Sequence, residues 1–305
     1  MTRRTIRIIG KPLAAVVLAG SAFAVSSSFA RPAASAAQLA PAAQNLAQAG
    51  RSARGVAPVD LTGYWVSIVT EDWRWRMLTP PPKDFESVPL NPEGRKVLDS
   101  WDLAKDNASG NQCRAFGVGG IVRQPGRMHI TWQDDTTLKV EFDAGTQTRL
   151  LHFDRSQPAG EKTWQGHSLA QWVGAVGGRG GRRGEAVSTD LAPGGGGVGL
   201  RGGPAIRRGG LPTGTIKVTT TNFREGYLRK NGVPYSENAA ITEFFQRLPQ
   251  IPGSDVLMVV TTTVDDPKYL TQPFYTSTNF KQERDGSKWD PSPCQTDPPT
   301  RGTLK

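Results

Sequence analysis

Two stretches in the middle of the chain alternate apolar and polar side chains with a period of two. Residues 128–133 (MHITWQ) and 138–143 (LKVEFD) place an apolar side chain at every second position, the pattern of a strand with one buried face. The Asp-Asp pair at 134–135 predicts a hairpin turn between them, and the Ala-Gly pair at 144–145 predicts another turn before residues 148–153. This spacing predicts three consecutive antiparallel strands.

Other parts of the chain predict further strands and few helices. Residues 91–104 predict a short helix, because their apolar side chains lie along one side of it. Residues 236–248 (SENAAITEFFQRL) fit either a helix or a strand over 242–247, and the pattern does not decide between them. The segments rich in Val, Thr and aromatic residues, which favour strands, are 63–69, 216–223, 226–228, 256–264 and 274–281.

This order of elements predicts a mostly β domain with one or two short helices. An antiparallel barrel and a β-sandwich both remain open. Full alternation without long covering helices favours the barrel. A barrel of about eight strands encloses room for side chains or for one small ligand.

The first 36 residues have the layout of a secretory signal peptide. Four basic residues precede an apolar run at 12–25, which is shorter than the about 20 residues that span a bilayer. Cleavage is expected near Ala30 or Ala36. Residues 2–7 loosely match a twin-arginine signal, although the general secretory route is favoured. The mature chain is therefore predicted to be periplasmic or secreted, with no transmembrane segment.

Two segments have the composition of disordered chain. Residues 37–58 are rich in Ala, Gln and Pro and predict a disordered leader, and residues 174–212 contain 15 glycines and predict a long, disordered Gly/Arg-rich insertion. Strand-like sequence resumes directly after the insertion. We therefore expect a single β domain over residues 59–305, interrupted by a flexible loop.

The formal net charge of +10 does not indicate a nucleic-acid partner, because it is concentrated outside the predicted fold. The signal peptide supplies five positive charges, the leader two and the insertion a net of four, which leaves −1 for the remainder. Export also argues against nucleic acid. The insertion is suited at most to weak contact with anionic polymers of the cell envelope.

The two cysteines are predicted to form one disulfide. Cys113 and Cys294 are far apart in a chain expected to reach an oxidising compartment. Two Cys and three His show no zinc spacing, so no metal site is expected. No phosphate-binding loop or dinucleotide fingerprint is present, so no cofactor is predicted either.

Several strand motifs resemble a group of exported bacterial lipocalin-like β-barrel proteins of unknown function. The resemblance covers nearly all of residues 60–294 apart from the insertion. It implies a lipocalin-like barrel and export, and no activity or catalytic residue. The segments that carry it are GYWV (63–66), TEDWRWRM (70–77), ITWQD (130–134), GTQTR (145–149), GYLRKNG (226–232) and VDDPKYLTQPF (264–274).

The densest candidate ligand site is the run Glu71 to Arg76. In a strand, Trp73 and Trp75 point to one side while Arg74 and Arg76 point to the other. Two Trp rings on one face suit a sugar or planar aromatic group, and two Arg suit a carboxylate. The alternative interpretation is a core face opposite a surface of ion pairs.

The histidines are candidate acid/base groups because they titrate near neutral pH. If the polar positions face the barrel interior, His129 and His152 would approach each other with Arg149 and Trp132 nearby. The alternative is that both are surface residues. Two further pairs are candidates for a mouth of the barrel. Trp164 and His167 precede the insertion, and Tyr227 and Arg229 flank a predicted Asn231-Gly232 turn. For the second pair, a loop anchored by tyrosines is the favoured alternative.

Three functions follow from these candidates. The favoured one is binding of a small, partly apolar molecule, aromatic or sugar-derived, in a barrel or cleft lined by Trp and Arg. The second is a lyase, isomerase or hydrolase on the same scaffold, with the histidines as acid and base. The third is an envelope-associated structural protein that uses the Gly/Arg-rich loop.

Overall fold

The computed structural model describes residues 52–173 and 214–300. The predicted signal peptide, residues 37–51 of the predicted leader, and the Gly/Arg-rich loop at 174–212 lie outside the described residues. Residues 52–58, the end of the predicted leader, lie against the barrel. Trp172 Nε1 donates a hydrogen bond of 2.9 Å to the Ala53 carbonyl, and Arg54 N donates one of 3.1 Å to the Asp135 carbonyl.

Nine strands close into a barrel. This confirms the predicted mostly β fold and, of the two predicted architectures, the favoured barrel. Around the barrel the strands follow the order β1-β11-β10-β9-β6-β5-β4-β3-β2, and β2 pairs with β1. The strands are β1 (Gly63–Ile68), β2 (Arg127–Trp132), β3 (Thr137–Phe142), β4 (Gln147–His152), β5 (His167–Val173), β6 (Thr215–Thr221), β7 (Gly226–Tyr227), β8 (Pro234–Tyr235), β9 (Ala240–Arg247), β10 (Leu257–Asp265) and β11 (Phe274–Glu283), of which β7 and β8 form a separate hairpin.

The pairing between β4 and β5 differs from that between the other neighbours in the barrel. It is parallel and joins only Leu151 with Ser168 and His152 with Leu169, whereas the other neighbouring strands run antiparallel. The β4–β5 seam therefore has the shortest ladder in the closed sheet.

Side chains fill the interior of the barrel. The predicted alternation of β2 and β3 is confirmed, because Met128, Ile130 and Val140 point inward and are fully buried while their polar neighbours point outward. Trp65 of β1 is also fully buried, and its Nε1 donates to the Leu61 carbonyl. The inner faces of the strands thus form a packed core.

Residues 69–126 cover the end of the barrel at which β1 ends and β2 begins, here called the helical end. They contain α1 (Trp73–Arg76), α2 (Pro92–Asp99), α3 (Leu103–Ala108) and two short 3-10 helices (Gln112–Phe116, Ile121–Arg123), and a third 3-10 turn (Ala144–Thr146) joins β3 to β4. Asn91 caps α2 by accepting a hydrogen bond from Gly94 N at 2.9 Å. The helix predicted over 91–104 is present but ends at Asp99. Among the described residues, none of the helices is both long and apolar enough to cross a bilayer.

The ambiguous segment 236–248 contains strand β9 and no helix. Its inward residues Ile241, Glu243 and Phe245 alternate with outward ones, and β9 pairs with β6 on one side and β10 on the other. Pairing on both edges of β9 satisfies the hydrogen bonds of its backbone. The segment is therefore a strand, although the spacing of its apolar residues also fits a helix.

A disulfide joins Cys113 to Cys294, as predicted. The bond ties the C-terminal tail to the helical end. The tail is also held by hydrogen bonds from Ser292 N to the Asp143 carbonyl (2.9 Å) and from Thr300 N to the Thr79 carbonyl (3.0 Å).

Candidate functional site

Five of the predicted ligand-binding residues come together at the helical end. We call the site formed by Trp73, Arg74, Trp75, Arg76, Arg123 and Arg229 the Trp/Arg corner. Residues 73–76 form a helical turn and not the predicted strand, because Asp72 adopts a left-handed backbone (φ 51) and its carbonyl accepts from Trp75 N and Arg76 N. The two Trp side chains therefore do not share a face.

Trp75 is held between two cations. The guanidinium carbons of Arg74 and Arg229 each lie 4.1 Å from the centroid of the Trp75 ring. Trp75 Nε1 also donates a hydrogen bond of 3.2 Å to Asp84 Oδ2. Because two guanidinium groups already contact its ring, Trp75 positions two arginines rather than offering a free stacking surface.

The β7–β8 hairpin brings Arg229 to this site. Arg229 Nη2 donates to the Glu86 carbonyl (2.7 Å) and to Ser87 Oγ (3.0 Å). Asn231 Nδ2, in the same turn, donates to the carbonyls of Pro81 (2.9 Å) and Asp84 (2.8 Å). Burial lowers the pKa of Arg229 to about 10, although Asp84 opposes the shift.

Arg76 and Arg123 lie side by side. Arg76 Nε donates to the Arg123 carbonyl at 3.0 Å, and its Nη1 forms an ion pair with Glu71. Arg123 Nη2 donates to Asp72 Oδ2 at 2.7 Å. Burial lowers the pKa of Arg76, and the nearby Arg123 charge lowers it further against the effect of Glu71.

The outer edge of the corner is apolar and faces solvent. Trp73 is 56% exposed, Met77 50% and Leu78 41%. Trp73 and Met77 are four residues apart on the same side of the helical turn, where Met77 N donates to the Trp73 carbonyl. The corner thus combines exposed apolar side chains with a buried arginine, Arg76, in the same helical turn.

His129 and His152 lie on the outer face of the barrel and do not meet. Both residues alternate with buried, inward-pointing neighbours, His129 with Met128 and Ile130 in β2 and His152 with Leu151 in β4, so both face outward. His129 stacks on Tyr64 with ring centroids 4.0 Å apart, and its Nδ1 lies 3.4 Å from Glu141 Oε2. His152 is stacked instead with His167 at 5.4 Å.

Arg149 and Trp132 lie on the opposite side of the barrel wall from the histidines. Arg149 points inward and pairs with Glu243 of β9. Trp132 contacts Phe153 at the end of the barrel opposite the helical end, with ring centroids 5.6 Å apart. The structure therefore does not bring these two residues together with His129 and His152 around one ligand.

Of the remaining predicted residues, Trp164 lines a cleft on the helical end, and Tyr227 contacts Arg114 of the same cleft. Its volume is about 310 Å³, and Arg114, Trp164, Arg224 and Glu225 are among its lining residues. The Arg224 guanidinium covers the Trp164 ring at 3.9 Å. Arg114 donates to Glu225 Oε1 (2.9 Å) and to the Tyr227 hydroxyl (2.9 Å), so Arg114 and Glu225 are already paired with each other.

Tyr227 does not supply a base in that cleft. Its hydroxyl donates to Asp106 Oδ2 at 2.8 Å. Burial, together with that hydrogen bond, raises the pKa of Tyr227 although the Arg114 charge opposes the shift. The hydroxyl therefore stays protonated at neutral pH.

Sequence reasoning did not find Arg123, Arg114 or Glu225. Each stands in a segment without alternation or a motif, and each acts through partners far along the chain, such as Arg123 with Asp72 and Arg114 with Glu225. No local signal in the sequence would have identified them.

Within residues 52–173 and 214–300, no group of three or more His, Cys, Asp or Glu side chains is arranged to hold a metal ion. Comparison with known proteins yields no matching family model, curated protein or solved structure.

Proposed function

We propose that this protein binds a small, partly apolar molecule, and that the molecule lies at the Trp/Arg corner outside the barrel. The ligand has an apolar body, aromatic or sugar-derived, that contacts Trp73. The proposal includes export to the periplasm or the medium and kinship with exported lipocalin-like proteins, both of which rest on sequence patterns.

One observation supports the corner above the other candidate places. Trp73, Met77 and Leu78 are exposed apolar residues that flank the buried Arg76 along the chain. A contiguous exposed apolar surface bordered by polar groups is typical of a binding site. The barrel interior offers no comparable surface, because Trp65 and the Arg149–Glu243 pair are packed inside it.

The test is native mass spectrometry of the mature protein purified from its native host, compared with the same sample denatured. We expect an additional mass in the native spectrum only. The additional mass should be lost in Trp73→Ala and kept in Ile251→Ala, a matched exposed apolar residue between β9 and β10 at the opposite end of the barrel. A bare native mass for wild type, or a mass kept in Trp73→Ala, would contradict the proposal.

A further inference from the structure

We propose that the guanidinium groups of Arg76, Arg123 and Arg229 bind an oxyanion, the carboxylate or phosphate group of the molecule bound at the Trp/Arg corner. This inference rests on the proposed function and specifies its ligand. The ligand class is an apolar or aromatic carboxylate or phosphate monoester.

Each of the three arginines has one terminal nitrogen without a hydrogen-bond partner in the described part of the chain. These nitrogens are Arg76 Nη2, Arg123 Nη1 and Arg229 Nη1, and all three are buried. The residues themselves are 2%, 8% and 4% exposed. A buried donor without a partner is costly, and buried donors in native proteins nearly always have one.

The three groups lie within electrostatic reach of one another. The Arg123 charge lowers the pKa of both Arg76 and Arg229, and the Asp72 carboxylate acts on both in the opposite direction. Asp72 is also the direct partner of Arg123. The three arginines thus belong to one charged cluster around Asp72, in which Arg76 is also hydrogen-bonded to the Arg123 carbonyl.

The buried charge of this cluster is positive. The side chains of Arg76 and Arg123 are only 1% and 9% exposed, whereas the acidic partners stand closer to solvent. The Asp72 side chain, the partner of Arg123, is 37% exposed, and that of Glu71, the partner of Arg76, is 26% exposed. Solvent screens the carboxylates more than the guanidinium groups, so an additional buried anion stabilises the cluster.

An oxyanion suits these donors better than water does. A water molecule accepts two hydrogen bonds and must also donate two, whereas all three guanidinium nitrogens are donors. Carboxylate and phosphate oxygens only accept, and arginine binds them with charge-assisted hydrogen bonds. Arg76 and Trp73 belong to the same helical turn, so an anionic group held by the arginines can carry an apolar body onto Trp73.

The test is isothermal titration calorimetry of the full-length protein with four probes. Benzoate and phenyl phosphate carry a ring and an oxyanion, benzamide is the neutral counterpart of benzoate, and inorganic phosphate lacks the ring. We expect benzoate or phenyl phosphate to bind at least about tenfold more tightly than benzamide, equivalent to about 1.4 kcal/mol. The tighter of the two identifies carboxylate or phosphate as the natural group.

Variants distinguish a specific role of the arginines in binding from the effect of losing any positive charge. Arg123→Met should abolish the preference for benzoate over benzamide, Arg123→Lys should retain part of it, and Lys288→Met, which removes an exposed cation elsewhere, should leave it unchanged. If Arg123→Met does not fold, the benzoate and benzamide comparison on wild type still decides, because it needs no variant.

The outcomes distinguish this inference from the proposed function. Equal affinity for benzoate and benzamide, lost in Trp73→Ala, would overturn the oxyanion site and keep the apolar one. Binding of inorganic phosphate that depends on Arg123 but not on Trp73 would keep the oxyanion site and overturn the proposed function. If no oxyanion probe binds, the three nitrogens are satisfied by water and the inference fails.

Discussion

Arg149 and Glu243 form an ion pair inside the barrel, with Arg149 Nη1 3.1 Å from Glu243 Oε1 and both side chains at most 1% exposed. The pair joins β4 to β9 across the two strands between them. Arg149 Nη2 also donates to Thr220 Oγ1 of β6, whose hydroxyl is 2.8 Å from Ser168 Oγ of β5. This network lies behind the short β4–β5 ladder and connects the strands on both sides of it.

Replacing Glu243 with Gln should destabilise the protein strongly. The change leaves the buried Arg149 cation without its counter-charge, and breaking a buried ion pair on one side costs about 3–5 kcal/mol. The free energy of unfolding, measured by urea denaturation, checks this. Glu93→Gln, in an exposed pair with Lys96, is the matched control and should change stability far less.

The double variant Arg149→Met/Glu243→Leu should recover most of the loss. Replacing both partners with apolar groups of similar size removes the uncompensated charge, and such replacements are often neutral or stabilising. A double variant as unstable as Glu243→Gln alone would show that the ion pair stabilises the folded protein by more than neutralising the buried Arg149 charge.

The sequence predicts the barrel well because strand alternation is a local property. Met128 and Ile130 reveal which side of β2 is buried without reference to any other strand. Arg149 and Glu243 are 94 residues apart, and each is a polar residue in an alternating strand. The sequence pattern around such a residue is the same whether its side chain faces solvent or the core. Their pairing therefore could not be predicted from the sequence.

Five of the six residues of the Trp/Arg corner were predicted, all except Arg123, but its geometry was not. Trp73 to Arg76 alternates with a period of two, yet four residues are too few to separate a strand from one turn of helix. The turn depends on the left-handed Asp72, whose carboxylate is held by Arg123, 51 residues away. Long-range contact thus overrides the local pattern.

Reduction of the Cys113–Cys294 bond should destabilise the protein by about 2–5 kcal/mol, because the bond closes a long loop and restricts the unfolded chain. Urea denaturation with and without a reductant measures the loss. The variant Cys113→Ser/Cys294→Ser should unfold at the same urea concentration in both conditions. Faster amide exchange in the tail at residues 284–300 should accompany reduction, since the disulfide holds that tail on the helical end.

Stability should fall in mild acid because of His152. Burial lowers the pKa of His152 from its ordinary value of 6.5, and the neighbouring His167 lowers it further, while Asp134 and Asp154 oppose the shift. The unfolded chain therefore binds a proton more readily than the folded chain, so this contribution is lost as the pH falls below 6.5.

The comparison of wild type with His152→Asn by denaturation at about pH 7.5 and about pH 5 measures this contribution. Wild type should lose more stability between the two conditions than the variant does. Asn is uncharged at both pH values, so the variant lacks the pH-dependent contribution of His152 to stability. Equal losses in the two proteins would assign the acid sensitivity to other groups.

Gly232→Ala should weaken ligand binding at the corner through the position of Arg229. Gly232 has φ +85, and a Cβ there would meet Trp101 Cγ at 2.1 Å, so the turn that carries Arg229 must shift. The matched control is Gly110→Ala, which also has a positive φ (+71) but has nothing within 4 Å of the added Cβ. A left-handed backbone at a non-Gly residue costs about 1–3 kcal/mol by itself, and both variants carry that cost. Only Gly232→Ala should lose affinity for the benzoate or phenyl phosphate probe, and an equal loss in Gly110→Ala would mean that general destabilisation, not displacement of Arg229, weakens binding.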